Sequence, residues 1–333
     1  MELESKQVNM TNISRKPSFN EFLRKYAVLF VFVLCLVIFG VLDPRFFTMV
    51  NLENIIWQNA YLVIATLGMT FLIISGGVDL AAGYSLSLGA VVTAASLVWW
   101  DLPIFLAILA GVSICTLLSL LNGVLSIKLK INSFMVTLGT MTIFSGMSNI
   151  FTDQKAIFNL PESFKVIGQG SLFGIPIPLI IMVILIALAS FILNFTYFGR
   201  HIYAVGSNEE ASRLAGIKVN STKIKIYMLA GIFFGIAAVL LVARTGSANA
   251  SMAVGSEFTC ITAAVLGGVA IQGGIGKIWS VVIGVFILGV LANGMQIIGL
   301  GIYAQYIAKG VILLAAMGLD TYQKTKTVKA RIN

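Results

Sequence analysis

Residues 199–225 read GRHIYAVGSNEEASRLAGIKVNSTKIK, the longest strongly polar insert in a chain that is apolar on both sides of it. Inside lies a complete short helix signal. Asn208 can cap, and Glu209 and Glu210 fill the first turn, where the helix dipole favours negative charge. Ala211, Leu214 and Ala215 share one face at i, i+3 and i+4 spacing. Gly216 supplies the stop, because glycine takes the left-handed conformation freely. A helix this short is marginal alone in water, so something must pack against its Ala/Leu face. These residues leave two occupants open: the protein's own body or the lipid surface, and a docked partner.

The flanking halves decide the solvent. Of 333 residues, 58% are hydrophobic and 11% charged, against about a quarter charged in soluble domains. Only lipid can surround that much apolar surface, so the expected fold is an all-α polytopic membrane protein. Cys35, Cys115 and Cys260 fall in apolar runs and read as small buried hydrophobes, not a disulfide framework or metal site. The formal charge of +9 fits basic residues held on the cytoplasmic side better than a nucleic-acid surface.

Apolar runs of spanning length are expected near 26–42, 54–75, 83–100, 102–125, 133–151, 176–198, 226–243, 257–272, 277–298 and 302–319. The first is followed by Asp43-Pro44-Arg45, not a small-residue cleavage site, and is expected to stay as an anchor. Ten spans with an inside N-terminus leave Arg45, Lys155, Lys165 and Arg244 outside and Lys309 within a span. The other 17 of the 22 Lys and Arg fall inside, which orients the chain. The expected organisation is a cytoplasmic tail at 1–25, one transmembrane domain at 26–319 with the cytoplasmic loop 199–225, and a cytoplasmic tail at 320–333. Trp57, Trp99, Trp100 and Trp279 fall at expected span ends, and Gly231 and Gly235 form a GxxxG that lets helices approach closely.

Two glycine-rich breaks stand apart: Gly76-Gly77-Val78-Asp79-Leu80 with Gly83, and Gly267-Gly268 followed by Gly273-Gly274-Ile275-Gly276. Broken backbone at membrane depth must be buried or line a wet cavity, and discontinuous helices in matching halves point to a transport path. Neither break is a phosphate loop, since no Lys-Ser/Thr pair follows. The fifth span carries Ser133, Thr137, Thr140 and Ser148 along one stripe. These hydroxyls either line a pore or bond back to helix carbonyls. Asn122, Asn293 and Gln296 admit the same two readings. Asp79 and Glu257 are ionisable groups at breaks or span ends, within reach of water, and a structural role in capping or pairing stands level with a functional one. The single His201, at a membrane boundary, and the lack of HExxH, GxSxG or paired acids inside a span leave no catalytic constellation.

Five segments carry a resemblance. GRHIYAVGSNEEASRLAGIKV, LGMTFLIISGGVDLAAGYSLSLGA at 67–90, LNGVLSIKLKINSFMVTLGTMTIFSGM at 121–147, AAVLGGVAIQGGIGKIWSVVIG at 263–284 and VLANGMQIIGL at 290–300 resemble, in order, inner-membrane permeases of the ribose/monosaccharide type of ATP-binding-cassette (ABC) importer. The resemblance implies a permease of the bacterial cytoplasmic (inner) membrane that moves a ribose-like sugar. It further implies a cytoplasmic ABC ATPase that uses the ATP, an extracytoplasmic sugar-binding protein, and a second permease copy, identical or not. It makes the stretch with Gly206, Asn208, Glu209, Glu210, Ala211, Leu214 and Gly216 the ATPase-coupling element. It implies no enzyme activity and no cofactor bound by this chain. The breaks and the fifth-span stripe suggest a path past Asp79, Asn122, Thr137, Thr140, Asn293 and Gln296. An ion-coupled secondary transporter would want a carboxylate deep in a span and would leave the capped loop unexplained. A branched-chain amino acid permease of related fold is the alternative within the ABC class.

Overall fold

The computed structural model describes residues 19–332, with side chains over 28–318. The basic residues expected in the N-terminal tail, and those at 324–331, have side chains outside the described part. In chain order the helices are α1 (Phe19–Leu42), α2 (Met49–Ile74), α3 (Ala82–Val98), α4 (Ile104–Leu129), α5 (Ser133–Thr152) and α6 (Glu162–Gln169), followed by α7 (Ile177–Phe195), α8 (Tyr197–Ser207), α9 (Glu209–Leu214), α10 (Val219–Thr245), α11 (Ser256–Leu266), α12 (Ile278–Ile297) and α13 (Ile302–Ile332). A single 3-10 turn at Pro44–Phe47 and a two-stranded hairpin, Ser171–Leu172 with Ile175–Pro176, are the other regular elements among the described residues.

Helices α2, α4, α5, α7, α10 and α12 are each long and apolar enough to cross a membrane, and Val28–Leu42, Ala82–Val98, Ser256–Leu266 and Ile302–Gly318 are shorter apolar stretches. The chain is thus a polytopic all-α membrane protein. One expected span is corrected. The run at 257–272 is not one span: α11 stops at Leu266, and 267–277 is irregular. Its glycines cause this, with Gly268, Gly273 and Gly274 at φ +81, +89 and +76, a region costly to other residues. At about 1.5 Å per residue, the 11 residues of α11 rise about 16 Å, half of a bilayer core of about 30 Å. Helix α1 is described from Phe19 and α13 runs to Ile332, so helix extends past 25/26 and 319/320, and neither 19–25 nor 320–332 has a Gly or Pro to stop it.

Helices α2 and α10 are the most buried of the long spans. Helix α10 meets α4 through small residues and α2 through aromatic rings. A Cβ at Gly231 would stand 2.6 Å from the Thr116 Cα, and one at Gly235 2.5 Å from the Val112 Cα, so the GxxxG seats α10 on α4. The Phe71 and Phe233 rings pack with centroids 5.6 Å apart. Trp57 is not at a helix end, because α2 starts at Met49 and carries the residue two turns inward.

Two ends of the bundle are defined by contacts between distant segments. At one, Ile157 and Ala248 exchange backbone hydrogen bonds, and the Gln169 amide donates to the Arg244 carbonyl at 2.8 Å. Here α6 and the segment before it meet the end of α10 and the α10–α11 connection, and the Asp43–Arg45 turn follows α1. Hydrogen bonds from Arg45 hold the Asp43 carboxyl below its ordinary range. The other end carries α8 and α9.

Candidate coupling and translocation site

The polar stretch folds as two helices. Thr196 caps α8 by accepting from the Gly199 N–H at 3.1 Å, and Gly199, Ile202 and Val205 turn inward. This helix was missed in the sequence, where Arg200 and His201 mark the segment as polar; Thr196 and the Gly199/Ile202/Val205 spacing were the signal. Next comes α9, capped by Asn208 Oδ1, which accepts from the Ala211 N–H at 2.9 Å. Gly216 has φ +84 with open space around it. Glu209 pairs with Arg213 at 3.2 Å and with Lys223 of α10 at 2.6 Å. Only Ser212 of α9 is buried, whereas Glu210, Ala211 and Ala215 are exposed and Leu214 is 86% exposed. Nothing among the described residues packs on the Ala/Leu face.

Beneath α9 both glycine breaks meet α8. The Gly274 N–H donates to the Ile74 carbonyl at 2.8 Å, and the Tyr203 hydroxyl donates to the Gly276 carbonyl at 2.8 Å. A Cβ at Gly206 would collide with that Ile74 oxygen. One at Gly273 would stand 2.7 Å from the Gly206 carbonyl and 2.9 Å from the Gly76 nitrogen, and one at Gly274 would run into the Ser207 hydroxyl. The end of α2, the end of α8 and the α11–α12 connection therefore interlock through backbone, with no room for a side chain at Gly206, Gly273 or Gly274. Gly206 sits in the interior of this joint, not on the open surface of α9.

The six expected path residues fall into two groups. Asp79 is fully buried and paired, as the structural reading of it requires. Its carboxylate accepts from the Asn122 amide at 3.2 and 3.3 Å and from the Ala81 N–H at 2.9 Å. Ser133 accepts from the Val78 N–H at 3.2 Å, and the Thr137 hydroxyl donates to the Ser133 carbonyl at 2.8 Å with the Val78 carbonyl 3.5 Å away. Thr140 donates to the Thr137 carbonyl at 3.3 Å. Both fifth-span hydroxyls thus spend their proton on their own helix. Glu257 is also buried, accepting from the Gly255 N–H at 3.0 Å, and it fills the space a Cβ at Gly83 would need.

Asn293 and Gln296 lie at the far end. Asn293 and Asn51 exchange amide hydrogen bonds at 2.9 and 3.0 Å, and with Arg45, Asn54, Gln58 and Gln296 they line a polar cavity of about 420 Å³. From Asn51 to Ile74, α2 rises about 35 Å, so the two groups stand at opposite ends of that helix. At the α9 end, between α4, α5, α9 and α10, is a larger cavity of about 620 Å³ whose lining includes Gly76, Gly77, Ser133 and Tyr227. No cluster of His, Cys, Asp or Glu suited to a metal occurs among the described residues.

The family model described as branched-chain amino acid transport system / permease component matches residues 51–317. The ribose import permease protein RbsC of Haemophilus influenzae is 36% identical over 95% of this chain and 99% of its own length. The L-arabinose transport system permease protein AraH of Escherichia coli is 37% identical over 93% of this chain and 94% of its own. The galactose/methyl galactoside import permease protein MglC of H. influenzae is 32% identical over 95% and 99%. No solved structure matches the chain significantly. With the match covering most of the chain and these relatives aligned end to end, the chain belongs to the branched-chain amino acid transport system permease family, a family of multi-pass membrane transport proteins and not of enzymes.

Proposed function

We propose that this chain is the membrane-spanning permease of an ABC importer for a monosaccharide in the bacterial cytoplasmic membrane. A separate ATPase drives it, an extracytoplasmic protein supplies the sugar, and a second permease copy completes the path. The relatives named for ribose, L-arabinose and galactose support the sugar class.

The observation that carries the reading is α9: capped, held to α10 through Glu209–Lys223, and open on its Ala211/Leu214/Ala215 face. A short helix with an unpartnered apolar face, seated on a backbone joint that reaches both glycine breaks, is what a docking partner needs to pull on. The sequence holds no phosphate loop, so ATP must be used elsewhere. Both termini are cytoplasmic in this reading, with the α11 region crossing only as a short helix and irregular chain. Residues assigned inside (Gly206, with breaks 76–77 and 273–274) contact one another, and so do those assigned outside (the 155–169 segment and Arg244). The expected division at 25/26 and 319/320 then marks function and not secondary structure, since helices cross both points.

Purified chain reconstituted with the cognate ATPase and binding protein should take up one of these sugars only when ATP is supplied. Sugar uptake driven by an ion gradient with no ATPase present would overturn the reading.

A further inference from the structure

Lys309 sits in the body of the last apolar stretch, Ile302–Gly318, seven residues from its start and nine from its end, and is the only ionisable Lys, Arg, His, Asp or Glu in it. At about 1.5 Å per residue it lies about 10 Å and about 13 Å along the helix from those ends, inside a core of about 30 Å. Its side chain is partly buried, and among the described residues it makes no ion pair and no hydrogen bond. A charge at membrane depth is costly without a counter-charge. This chain supplies none. Asp79 and Glu257 are buried and already hold the Asn122 amide and the Gly255 N–H. The other acids with described side chains lie in connections or within two turns of a helix end. Lys309 instead lines a pocket of about 410 Å³ between α11 and α13. Val254, Phe258 and Leu313 make its wall apolar. The Thr259 and Thr262 hydroxyls there donate to carbonyls of their own helix, at 3.2 and 2.7 Å. Phe258 and Tyr306 at this pocket are about half exposed. It therefore opens to the surroundings of the bundle, which at this depth are lipid.

We propose that this pocket holds one anionic phospholipid, with its phosphate on the Lys309 ammonium and an acyl chain along Phe258 and Leu313. The unpaired cation calls for an anion, and the apolar wall calls for a chain. A lysine stem lies along apolar surface and carries its ammonium toward headgroup level. The pocket extends that way, to Val254 and Gly255 just before α11. Tyr306, one turn nearer the start of α13, brings a ring of the kind that settles at the membrane boundary. A wholly apolar occupant would leave the ammonium unmatched. A zwitterionic lipid brings its own cation beside the phosphate and has less to give Lys309. A second copy of this chain has no free carboxylate to offer at this depth among the described residues. The volume falls within the usual range for a small-molecule site. The lipid then braces α11, which rises through only half of the core, against α13.

The test uses the full-length chain, stripped of lipid in maltoside detergent. Phosphatidylglycerol, or phosphatidylcholine with the same acyl chains, is titrated at constant ionic strength. Bound lipid is counted by native mass spectrometry, and the thermal midpoint is followed beside it. The wild type should take up phosphatidylglycerol saturably, and its midpoint should rise more than with phosphatidylcholine. Lys309→Met keeps an unbranched stem and removes the charge. It should weaken phosphatidylglycerol binding about tenfold, the size of one charge-assisted hydrogen bond, and erase the preference, whereas Lys309→Arg should keep it. Gly310→Leu keeps the charge and fills the pocket, since a Cβ there meets nothing within 4 Å, and should weaken both lipids. Lys128→Met removes an exposed charge at the other end of the bundle and should change nothing. The midpoint of each variant without lipid confirms folding. Equal binding of the two lipids by the wild type overturns the proposal. So does a preference retained in Lys309→Met, or an equal loss in Lys128→Met. A wild-type dimer that Lys309→Met dissociates, with no lipid preference in either, would overturn it in favour of a second copy on this face. Neither sugar nor ATPase enters the test, so its outcome is separate from that of the transport reading.

Discussion

Substituting Gly206 by Ala tests the backbone joint directly. The added Cβ would overlap the Ile74 carbonyl oxygen and stand 2.7 Å from the Gly274 nitrogen. Ordinary carbon–oxygen contacts lie near 3.3–3.6 Å, so α8 must withdraw from the α2 end and the α11–α12 connection. Three magnitudes decide the sign. Overpacking costs about 1–3 kcal/mol. Weakening the hydrogen bond between the Gly274 N–H and the Ile74 carbonyl costs about 0.5–1.5 kcal/mol. Replacing a helical glycine by alanine returns about 1 kcal/mol. The net is a destabilisation of about 1–3 kcal/mol, small enough for the spans to fold. The exposed face of α9 is untouched, so the ATPase should still attach while sugar moved per ATP falls. Gly216→Ala is the control: it strains a residue at φ +84 but meets nothing, and should cost about 1–2 kcal/mol with coupling kept. The assay is co-purification of the ATPase, ATP hydrolysis and uptake from one reconstituted preparation. Wild-type transport per ATP in Gly206→Ala, or equal loss in both variants, would refute the reasoning.

Further outcomes follow from the same geometry. Ala211→Glu should abolish ATPase co-purification, because a charge on the docking face would be desolvated unpaired at a cost of several kcal/mol; normal attachment and uptake would remove α9 from the interface. Leu214→Ala should weaken attachment less, by roughly 1–3 kcal/mol of lost apolar burial. Asp79→Ala should lower stability by about 1–3 kcal/mol, since the buried Asn122 amide loses its acceptor; an unchanged thermal midpoint would argue against that bond. Thr137→Val should slow uptake with assembly intact, and wild-type uptake would return Thr137 to packing. A single cysteine at position 210 should react only with reagent that has entered the cell, and labelling of intact cells from outside would invert the topology.

What could be read in advance was local. Asn208, Glu209 and Gly216 announce α9 because a cap, a first turn and a stop act within nine residues. The apolar runs announce the spans because lipid tolerates nothing else. The 257–272 run misled because hydropathy counts glycine as neutral, while the positive φ of Gly268, Gly273 and Gly274 ends the helix. The joint was illegible because Ile74, Gly206 and Gly274 are separated by 132 and 68 positions, and no local pattern records contacts at that range. Burial hid the role of Asp79 in the same way: Asn122 lies 43 residues away. Asn293 and Gln296 looked equivalent to Asn122 as polar residues in spans, yet α2 holds the two groups apart along its whole length.

The joint also bears on how the protein is made. A seat built from positions 74, 206 and 274 cannot close until the last of them has emerged and entered the membrane. Through the synthesis of α10 and α11, the end of α8 has the α2 end to rest on but not the α11–α12 connection, although Glu209–Lys223 already tethers α9. Chains of this size fold in stages, from the N-terminus during synthesis. The surface offered to an ATPase is therefore set in place only when about four-fifths of the polypeptide is complete. Fragments ending before residue 267 should leave 197–207 open to protease, and a partner that demands the seated form of α8 would pass them by.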